Sequence, residues 1–214
     1  MTNLQKRILT SIIIFPLSIF ITLKGGNILA SFLLIIFFLA NYELFSGFKK
    51  KSSILFLDCV LIISLYCFYY MAEENIISLN LLFWTLLLVI LSDIGGYIFG
   101  KTFKWKKITK ISPNKTLSGV FGSFIFSLIS IPIAHYIFSA DKINFLEPKF
   151  FFLALFFSLV AQVGDITISY YKRLEKIKDI GKVLPGHGGI LDRIDGIIFV
   201  IILSLIFYEL NLIP

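Results

Sequence analysis

The sequence predicts an all-α, polytopic integral membrane protein with about seven transmembrane helices and a cytoplasmic N-terminus. Apolar residues make up 57% of the 214 residues and charged residues only 15%, a balance outside the range of soluble domains. Apolar stretches long enough to cross a hydrocarbon layer of about 30 Å as helices recur along almost the whole chain. These stretches lack the strict alternation that a membrane β-barrel requires, so we expect helices.

Seven apolar stretches are candidate spans. The first follows Lys6 and Arg7, and no small-residue cleavage site comes after it. We therefore expect a spanning helix there rather than a signal peptide. The stretches lie near residues 8–23, 28–48, 54–71, 79–99, 117–139, 150–170 and 191–211.

The distribution of basic residues predicts the orientation, because cytoplasmic loops of membrane proteins collect Lys and Arg. With seven spans, the N-terminus and every second loop hold sixteen of the 20 basic residues, and the opposite loops hold three. The net charge of +7 thus lies in short loops, so we expect no nucleic-acid partner. The sixteen are Lys6, Arg7, Lys49, Lys50, Lys51, Lys101, Lys104, Lys106, Lys107, Lys110, Lys115, Lys172, Arg173, Lys176, Lys178 and Lys182.

Six acidic residues lie within or at the edge of the predicted spans, all on the cytoplasmic half. A charge at that depth costs roughly a few kcal/mol unless it faces protein, water, a metal or a partner. We therefore expect one shared polar cavity, open to the cytoplasm and lined from spans 2, 3, 4, 6 and 7. For Glu43 or Asp58 taken singly, a structural role is an equally good interpretation. The six are Glu43, Asp58, Asp93, Asp165, Asp192 and Asp195.

The end of the sixth span carries an acidic, a hydroxyl and a basic side chain, and the loop after it is rich in glycine. Asp165 and Ser169 are four residues apart and share a helix face, which Lys172 continues. Pro185 and the neighbouring glycines predict an irregular backbone that can present N–H groups to phosphate oxygens. These glycines are Gly186, Gly188 and Gly189.

Asp192 and Asp195 open the seventh span at a spacing of three residues, so they share a face at an N-terminus whose dipole favours anions. Aligned carboxylates beside phosphate-binding groups suit a hard divalent cation such as Mg²⁺. Too few His and Cys residues are present for a zinc site. The interpretation of Asp192 as only a helix cap stays open.

The fourth loop, "GKTFKWKKITKISPNKTLSG", holds six lysines, a turn at Ser112 and the pair Lys115 and Thr116 directly before the fifth span. A basic loop beside a membrane is most often a topology signal or a lipid contact. Here it follows Asp93 and the small-residue run "SDIGGYIFG", which permits close approach of helices or substrate. We therefore favour polyphosphate binding.

The stretch "SYYKRLEKIKDIGKVLPGHGGILDRIDG", residues 169–196, closely resembles the signature of phosphatidate cytidylyltransferases. "SDIGGYIFGK" and "ISPNKTLSGVFGS" resemble segments upstream of that signature in the same family. The resemblance implies a homodimeric enzyme of the bacterial inner membrane that converts CTP and phosphatidate to CDP-diacylglycerol and pyrophosphate in phospholipid biosynthesis. Within one integral membrane domain, residues 1–90 would form N-terminal helices, and residues 91–214 would form the catalytic region.

The resemblance also implies roles for individual residues. Mg²⁺ would be held by Asp165, Asp192 and Asp195, with Asp179 a further candidate, and a monovalent cation such as K⁺ stays open as a second ion. His187 would either position a phosphate or transfer a proton, or it would only bond backbone groups. Phosphate oxygens would bind Lys115, Lys172, Arg173, Lys178 and Arg193. Further substrate contacts would come from Ser112, Thr116, Ser169, Gly186, Gly188 and Gly189.

Two alternatives remain at this stage. The first keeps CTP and changes the acceptor to an isoprenoid phosphate or an ether lipid, or makes the protein a related polyprenol kinase. The second is a cation transporter that uses the acids as an ion path. A transporter commonly shows internal repeats or paired broken helices, and we find neither in the sequence.

Overall fold

The computed structural model describes residues 3–109, 111–112, 115–138, 143–181, 183 and 188–213, with side chains from residue 12 onward. These residues form helices and connections, with no strand longer than an isolated bridge between Lys107 and Thr116. The helices are α1 (Asn3–Lys24), α2 (Gly26–Gly47), α3 (Lys51–Glu73), α4 (Ile76–Phe103), α5 (Leu117–Phe138), α6 (Pro148–Leu174), α7 (Leu191–Ile194) and α8 (Ile197–Glu209).

In the part of the chain that the structure describes, five helices, α2 to α6, are long and apolar enough to cross a membrane. The prediction of an all-helical, membrane-embedded protein is therefore confirmed. The apolar parts of the first and last helices are shorter, Ile12–Lys24 and Ile197–Glu209, so the count of seven spans stays a prediction.

The predicted seventh span is interrupted near its start. The four-residue α7 is followed by a turn at Asp195 and Gly196, after which α8 begins. The Gly196 N–H donates to the Asp195 carboxylate at 2.9 Å, and such a local bond competes with the helical backbone bonds. A Cβ on Gly196 would lie 3.0 Å from the Ala161 carbonyl oxygen, so this turn packs directly on α6.

The basic connections lie together at one end of the bundle. The Glu175 carboxylate, just after α6, accepts the N–H groups of Lys49 and Lys50 in the α2–α3 connection at 3.2 and 3.0 Å. Arg173 donates from Nε to the carbonyl of Ile111 in the α4–α5 connection at 3.4 Å. We call this end, with the α2–α3, α4–α5 and α6–α7 connections, the basic end.

The α1–α2 and α3–α4 connections meet the end of α8 at the opposite end of the bundle. The Gly26 N–H, at the start of α2, donates to Glu73 at the end of α3 at 2.6 Å. Asn75, which caps α4, donates to the Tyr208 hydroxyl of α8 at 2.6 Å. Successive helices therefore run in alternating directions, as the segregation of basic residues predicted.

Small residues hold α4 and α5 close together. A Cβ on Gly95 would collide with the Gly122 carbonyl oxygen, and a Cβ on Gly122 would collide with that of Gly95. Ser123 donates to the Ser92 carbonyl at 2.9 Å between the same helices. Small residues permit this approach of helix backbones inside a membrane, and it positions the residues that line the site described next.

Candidate active site

A cavity of about 360 Å³ lies among α4, α5, α6 and the turn after α7, beside the α4–α5 connection. Four aspartates and one lysine are among its lining residues. The aspartates are Asp93, Asp165, Asp192 and Asp195, and the lysine is Lys115. The hydroxyl groups of the lining belong to Tyr97, Ser112, Thr116 and Ser123.

The α4–α5 connection folds back on itself and thereby places Lys115. The Ile108 N–H donates to the Lys115 carbonyl at 3.0 Å, and the Leu117 N–H donates to the Lys106 carbonyl at 3.0 Å. Lys115 therefore sits on a backbone fixed at both sides, directly before α5. Its side chain enters the cavity from this connection.

Lys115 and Asp165 form an ion pair at the cavity. The Lys115 Nζ lies 2.6 Å from the Asp165 Oδ2 and donates to the Gln162 carbonyl at 2.9 Å. Ser169 donates to the other oxygen of Asp165 at 3.4 Å, as the spacing of the two residues on one helix face predicted. The Asp165 side chain keeps 35% of its exposure, so it retains lone pairs that face the cavity.

Asp195 places a second carboxyl group beside Asp165. The two groups line the same cavity and interact electrostatically, and Asp93 interacts electrostatically with Asp165 and Lys115. Ionised carboxylates placed this close repel each other, and a cation offsets the repulsion. The described lining therefore attracts positive charge.

Asp192 is held by groups of the protein on both of its oxygens. Oδ1 pairs with the Lys172 ammonium at 2.9 Å, and the two side chains are only 7% and 10% exposed. Oδ2 accepts the N–H groups of Ile180 at 3.0 Å and Gly189 at 3.2 Å. Asp192 lines the cavity and does not cap α7, whose N-cap residue is Ile190 without a side-chain cap bond. Its role as a metal ligand stays a prediction.

One expectation from the sequence is wrong. The six membrane acids do not share one cavity, because Glu43 and Asp58 on α2 and α3 are not among its lining residues. Glu43 is 1% exposed and accepts backbone N–H groups of Val183, Ile190 and Leu191. Asp58 has one buried carboxylate oxygen with no hydrogen-bond partner among the described residues. A buried acid can be stabilised by backbone N–H groups as well as by water in a cavity. The depth of an acid in the membrane, which is all that the sequence indicates, does not show which of these stabilises it.

The glycine-rich segment, residues 184–189, has two described residues, Gly188 and Gly189. The Gly189 N–H donates to Asp192, and the N–H groups on either side of the segment donate to Glu43. Gly188 has a φ of +87°, a left-handed conformation that favours glycine. Gly186, a predicted substrate-binding residue, and His187, a predicted catalytic residue, lie outside the described residues.

Several predicted charged residues are exposed and are not among the lining residues of the cavity. Arg173 donates to the carbonyls of Ile111 at 3.4 Å and Ile177 at 3.0 Å, so it braces the basic end. The other exposed residues of this group are Lys178, Asp179 and Arg193. Their proposed contacts with substrate or metal stay predictions.

The cavity is also lined by four polar residues outside the predicted set of site residues, Asp93, Tyr97, Ser123 and Gln162. Asp93 was identified only as a membrane acid, and Gln162 was not singled out. Gln162 lies three residues before Asp165, hence on the same helix face. A polar side chain at that spacing inside an apolar span was the signal that could have identified it.

The carboxylates of Asp165 and Asp195 are a candidate donor pair for a metal. No group of three or more His, Cys, Asp or Glu residues within the described parts of the chain could hold a metal by itself. Asp165 and Asp195 line the same cavity and interact electrostatically. Mg²⁺ is commonly bound by one or two carboxylates together with substrate phosphates and water, so this pair fits Mg²⁺ bound with a nucleotide.

Comparison with known proteins identifies relatives of this chain. The profile of the "Cytidylyltransferase family" matches residues 48–211. A protein of Helicobacter pylori named phosphatidate cytidylyltransferase is 44% identical over 120 residues, which is 54% of this chain and 42% of that protein. Proteins of the same name from Staphylococcus saprophyticus and Staphylococcus aureus are each 40% identical over 135 residues, 63% of this chain and 51% of the relative. The matched segments thus span about half the length of these relatives.

Proposed function

The chain belongs to the cytidylyltransferase family, and we propose on this basis that it transfers CMP from CTP to phosphatidate, giving CDP-diacylglycerol and pyrophosphate. The observation that carries the proposal is the cavity with four aspartates and Lys115, whose lining lies entirely within residues 48–211. The names of the relatives support phosphatidate as the acceptor.

The proposed reaction needs no nucleophile from the protein. An oxygen of the lipid phosphate attacks the α-phosphorus of CTP, a P–O bond forms there, and the bond to the bridging oxygen of the leaving pyrophosphate breaks. The protein has to align two anions and offset their repulsion, which is the usual task in phosphoryl and nucleotidyl transfer.

The lining residues are suited to this task. Lys115 would contact phosphate oxygens of CTP, and the hydroxyl groups of Ser112 and Thr116 beside it would donate to the same oxygens. Mg²⁺, which we propose that Asp165 and Asp195 hold, would supply positive charge next to the nucleotide phosphates. A monovalent cation such as K⁺, bound as a second ion, is part of the same proposal.

We place the basic end on the cytoplasmic side of a bacterial inner membrane, with seven spans and the N-terminus on that side. Support comes from the contacts of Glu175 and Arg173, which bring the three basic connections together, and from the preference of cytoplasmic loops for Lys and Arg. The cavity adjoins one of these connections, so it would take CTP from the cytoplasm. The homodimer implied by the resemblance is part of this proposal.

The test is a turnover assay on the purified protein in lipid nanodiscs with CTP and phosphatidate. We expect release of pyrophosphate, formation of CDP-diacylglycerol and loss of both when Mg²⁺ is removed with EDTA. Turnover with an isoprenoid phosphate but not with phosphatidate would show that the acceptor is the isoprenoid phosphate. Cation flux into proteoliposomes without any CTP turnover would overturn the enzymatic function.

A further inference from the structure

We infer that Glu43 on α2 is a positioning residue that holds the segment carrying Asp192 and Asp195. Glu43 lies outside residues 48–211, which match the family, and it is not among the residues that line the cavity. Its influence on turnover would therefore pass through the backbone that it binds. The kinetic part of this inference rests on the proposed function.

The Glu43 carboxylate accepts three backbone N–H groups. Its Oε2 accepts those of Ile190 at 2.8 Å and Leu191 at 3.4 Å, and its Oε1 accepts that of Val183 at 3.4 Å. These donors lie on both sides of the glycine-rich segment. One buried side chain therefore binds the backbone directly before this segment and at the start of α7. Among the described residues, these backbone donors offset the cost of burying its carboxyl group.

The backbone of the segment packs directly on this carboxylate. A Cβ on Gly189 would lie 2.7 Å from the Glu43 Oε2, and a Cβ on Gly181 would collide with the same carboxyl group. Glycine at both positions leaves the space that the carboxylate fills. Both partners thus contribute to the contact, because Glu43 supplies the carboxylate and the two glycines leave room for it.

The short α7 transmits this contact to the cavity. Asp192 lies one residue after Leu191 and accepts the Gly189 N–H at 3.2 Å, and Asp195 follows α7 directly. If the start of α7 is displaced, both carboxylates move relative to Asp165. Lys115 enters the cavity from a different segment, the α4–α5 connection.

The end of α2 has further contacts that do not depend on Glu43. Leu44 packs in one apolar cluster with Ile180 and Leu191, and a Cβ on Gly47 would lie 2.9 Å from the Ile180 carbonyl oxygen. Substitution of Glu43 should therefore leave the helices folded. Only the hydrogen bonds that the N–H groups of Val183, Ile190 and Leu191 donate to Glu43 should be lost.

The experiment compares Glu43→Gln and Glu43→Ala with the matched variant Asp58→Asn, an acid of the neighbouring helix α3. Hydrogen–deuterium exchange of the peptide covering 183–191 is measured beside kcat and the KM for CTP. In Glu43→Ala we expect exchange of this peptide to rise about ten- to a hundredfold, as loss of bonds to a charged group implies. We expect kcat to fall by at least about tenfold while the KM for CTP changes less than about threefold.

Glu43→Gln keeps one accepting oxygen, so it should lie between the wild type and Glu43→Ala in both measurements, and Asp58→Asn should match the wild type. Unchanged exchange of 183–191 in Glu43→Ala would overturn the inference. Equal acceleration of exchange in every helix would also overturn it, because Glu43 would then support the whole fold. If wild-type protein shows no turnover of CTP with phosphatidate, the proposed function fails, while the exchange measurement still decides whether Glu43 holds the segment.

Discussion

Asp165 receives contacts from three directions. Lys115 approaches from the α4–α5 connection, Ser169 lies one turn further along α6, and Asp195 comes from the turn before α8. A cation that binds Asp165 has to share it with Lys115. The residue therefore couples the three segments that form the proposed site.

We predict that Asp165→Asn reduces turnover by about a hundredfold or more, since groups that face developing charge commonly contribute this much. The amide keeps the size of the side chain but removes a negative charge next to Lys115 and Asp195. The measurement is pyrophosphate release at saturating CTP, beside thermal unfolding. Glu147→Gln is the control, because Glu147 is an exposed acid paired with Lys149 at 2.9 Å. Normal Mg²⁺-dependent turnover in Asp165→Asn would contradict the metal role.

Lys115→Ala should raise the KM for CTP about tenfold or more, because a positive group aimed at phosphate oxygens is lost. Lys149→Ala serves for comparison, since Lys149 lies in an exposed ion pair, and such pairs contribute little. The dependence of pyrophosphate release on CTP concentration gives the result. An unchanged KM for CTP in Lys115→Ala would remove this residue from the nucleotide site.

The sequence predicted those site residues whose partners are local or whose type is distinctive. Asp165 with Ser169 follows from helix periodicity, and Lys115 follows from the polar loop before α5. The partners of Glu43 could not be predicted, because its donors lie about 140 residues further along the chain. Spacing within one helix says nothing about which backbone from elsewhere will pack against it.

At the level of elements, the glycines of α4 and α5 determine how closely the two helices approach. Gly95 and Gly122 face each other's carbonyl oxygens, and a Cβ on Gly122 would also lie 2.5 Å from the Phe99 Cβ. Gly96 and Gly119 belong to the cavity lining on the same interface. Separation of these helices would therefore widen the cavity itself.

Gly122→Ala should destabilise the protein by about 1–3 kcal/mol, the usual cost of overpacking a close contact, and should also lower turnover. Gly100→Ala on the same interface should be much milder, because its Cβ would meet the Thr116 hydroxyl at 3.2 Å and little else. Thermal unfolding of both variants in the same nanodiscs compares them. Equal unfolding temperatures for Gly122→Ala and wild type would show that the backbones can separate without cost.

The positions of the long helices could be predicted from hydropathy, but the interruption after α7 could not. A window of apolar residues reports an average, and "IIFVIILSLIFYE" dominates the average of the predicted seventh span. The interruption depends on the hydrogen bond from the Gly196 N–H to the Asp195 carboxylate and on the contact of Gly196 with Ala161. The second of these is a packing contact with another helix.

For the molecule as a whole, the separation of basic loops from the rest is the feature that sequence and structure share. The sequence predicted it by counting Lys and Arg in alternate loops, and the contacts of Glu175 and Arg173 bring those loops to one end. The sequence alone does not show the cavity at that end, because its lining comes from four separate segments. Charge predicts the side of the membrane, and packing creates the site.

The proposed orientation predicts which positions an impermeant thiol reagent reaches. In a background that carries Cys59→Ser and Cys67→Ala, which removes both cysteines, Lys50→Cys reports on the basic end and Asn27→Cys on the opposite end. Both positions are exposed. In right-side-out membrane vesicles we expect an impermeant maleimide to label Asn27→Cys and to leave Lys50→Cys unlabelled, because Lys50 would face the cytoplasm.

Inside-out vesicles should give the reverse pattern, and detergent should make both positions reactive, which controls for thiols that are merely buried. Labelling of Lys50→Cys from the outside would place the basic end away from the cytoplasm. The cavity beside Lys115 would then have no access to cytoplasmic CTP, so this result would contradict the proposed orientation and the proposed source of the nucleotide together. In the structure the single helix α2 separates the two positions, so they should lie on opposite sides of the membrane. Labelling of both positions from the same side would contradict a membrane-spanning α2.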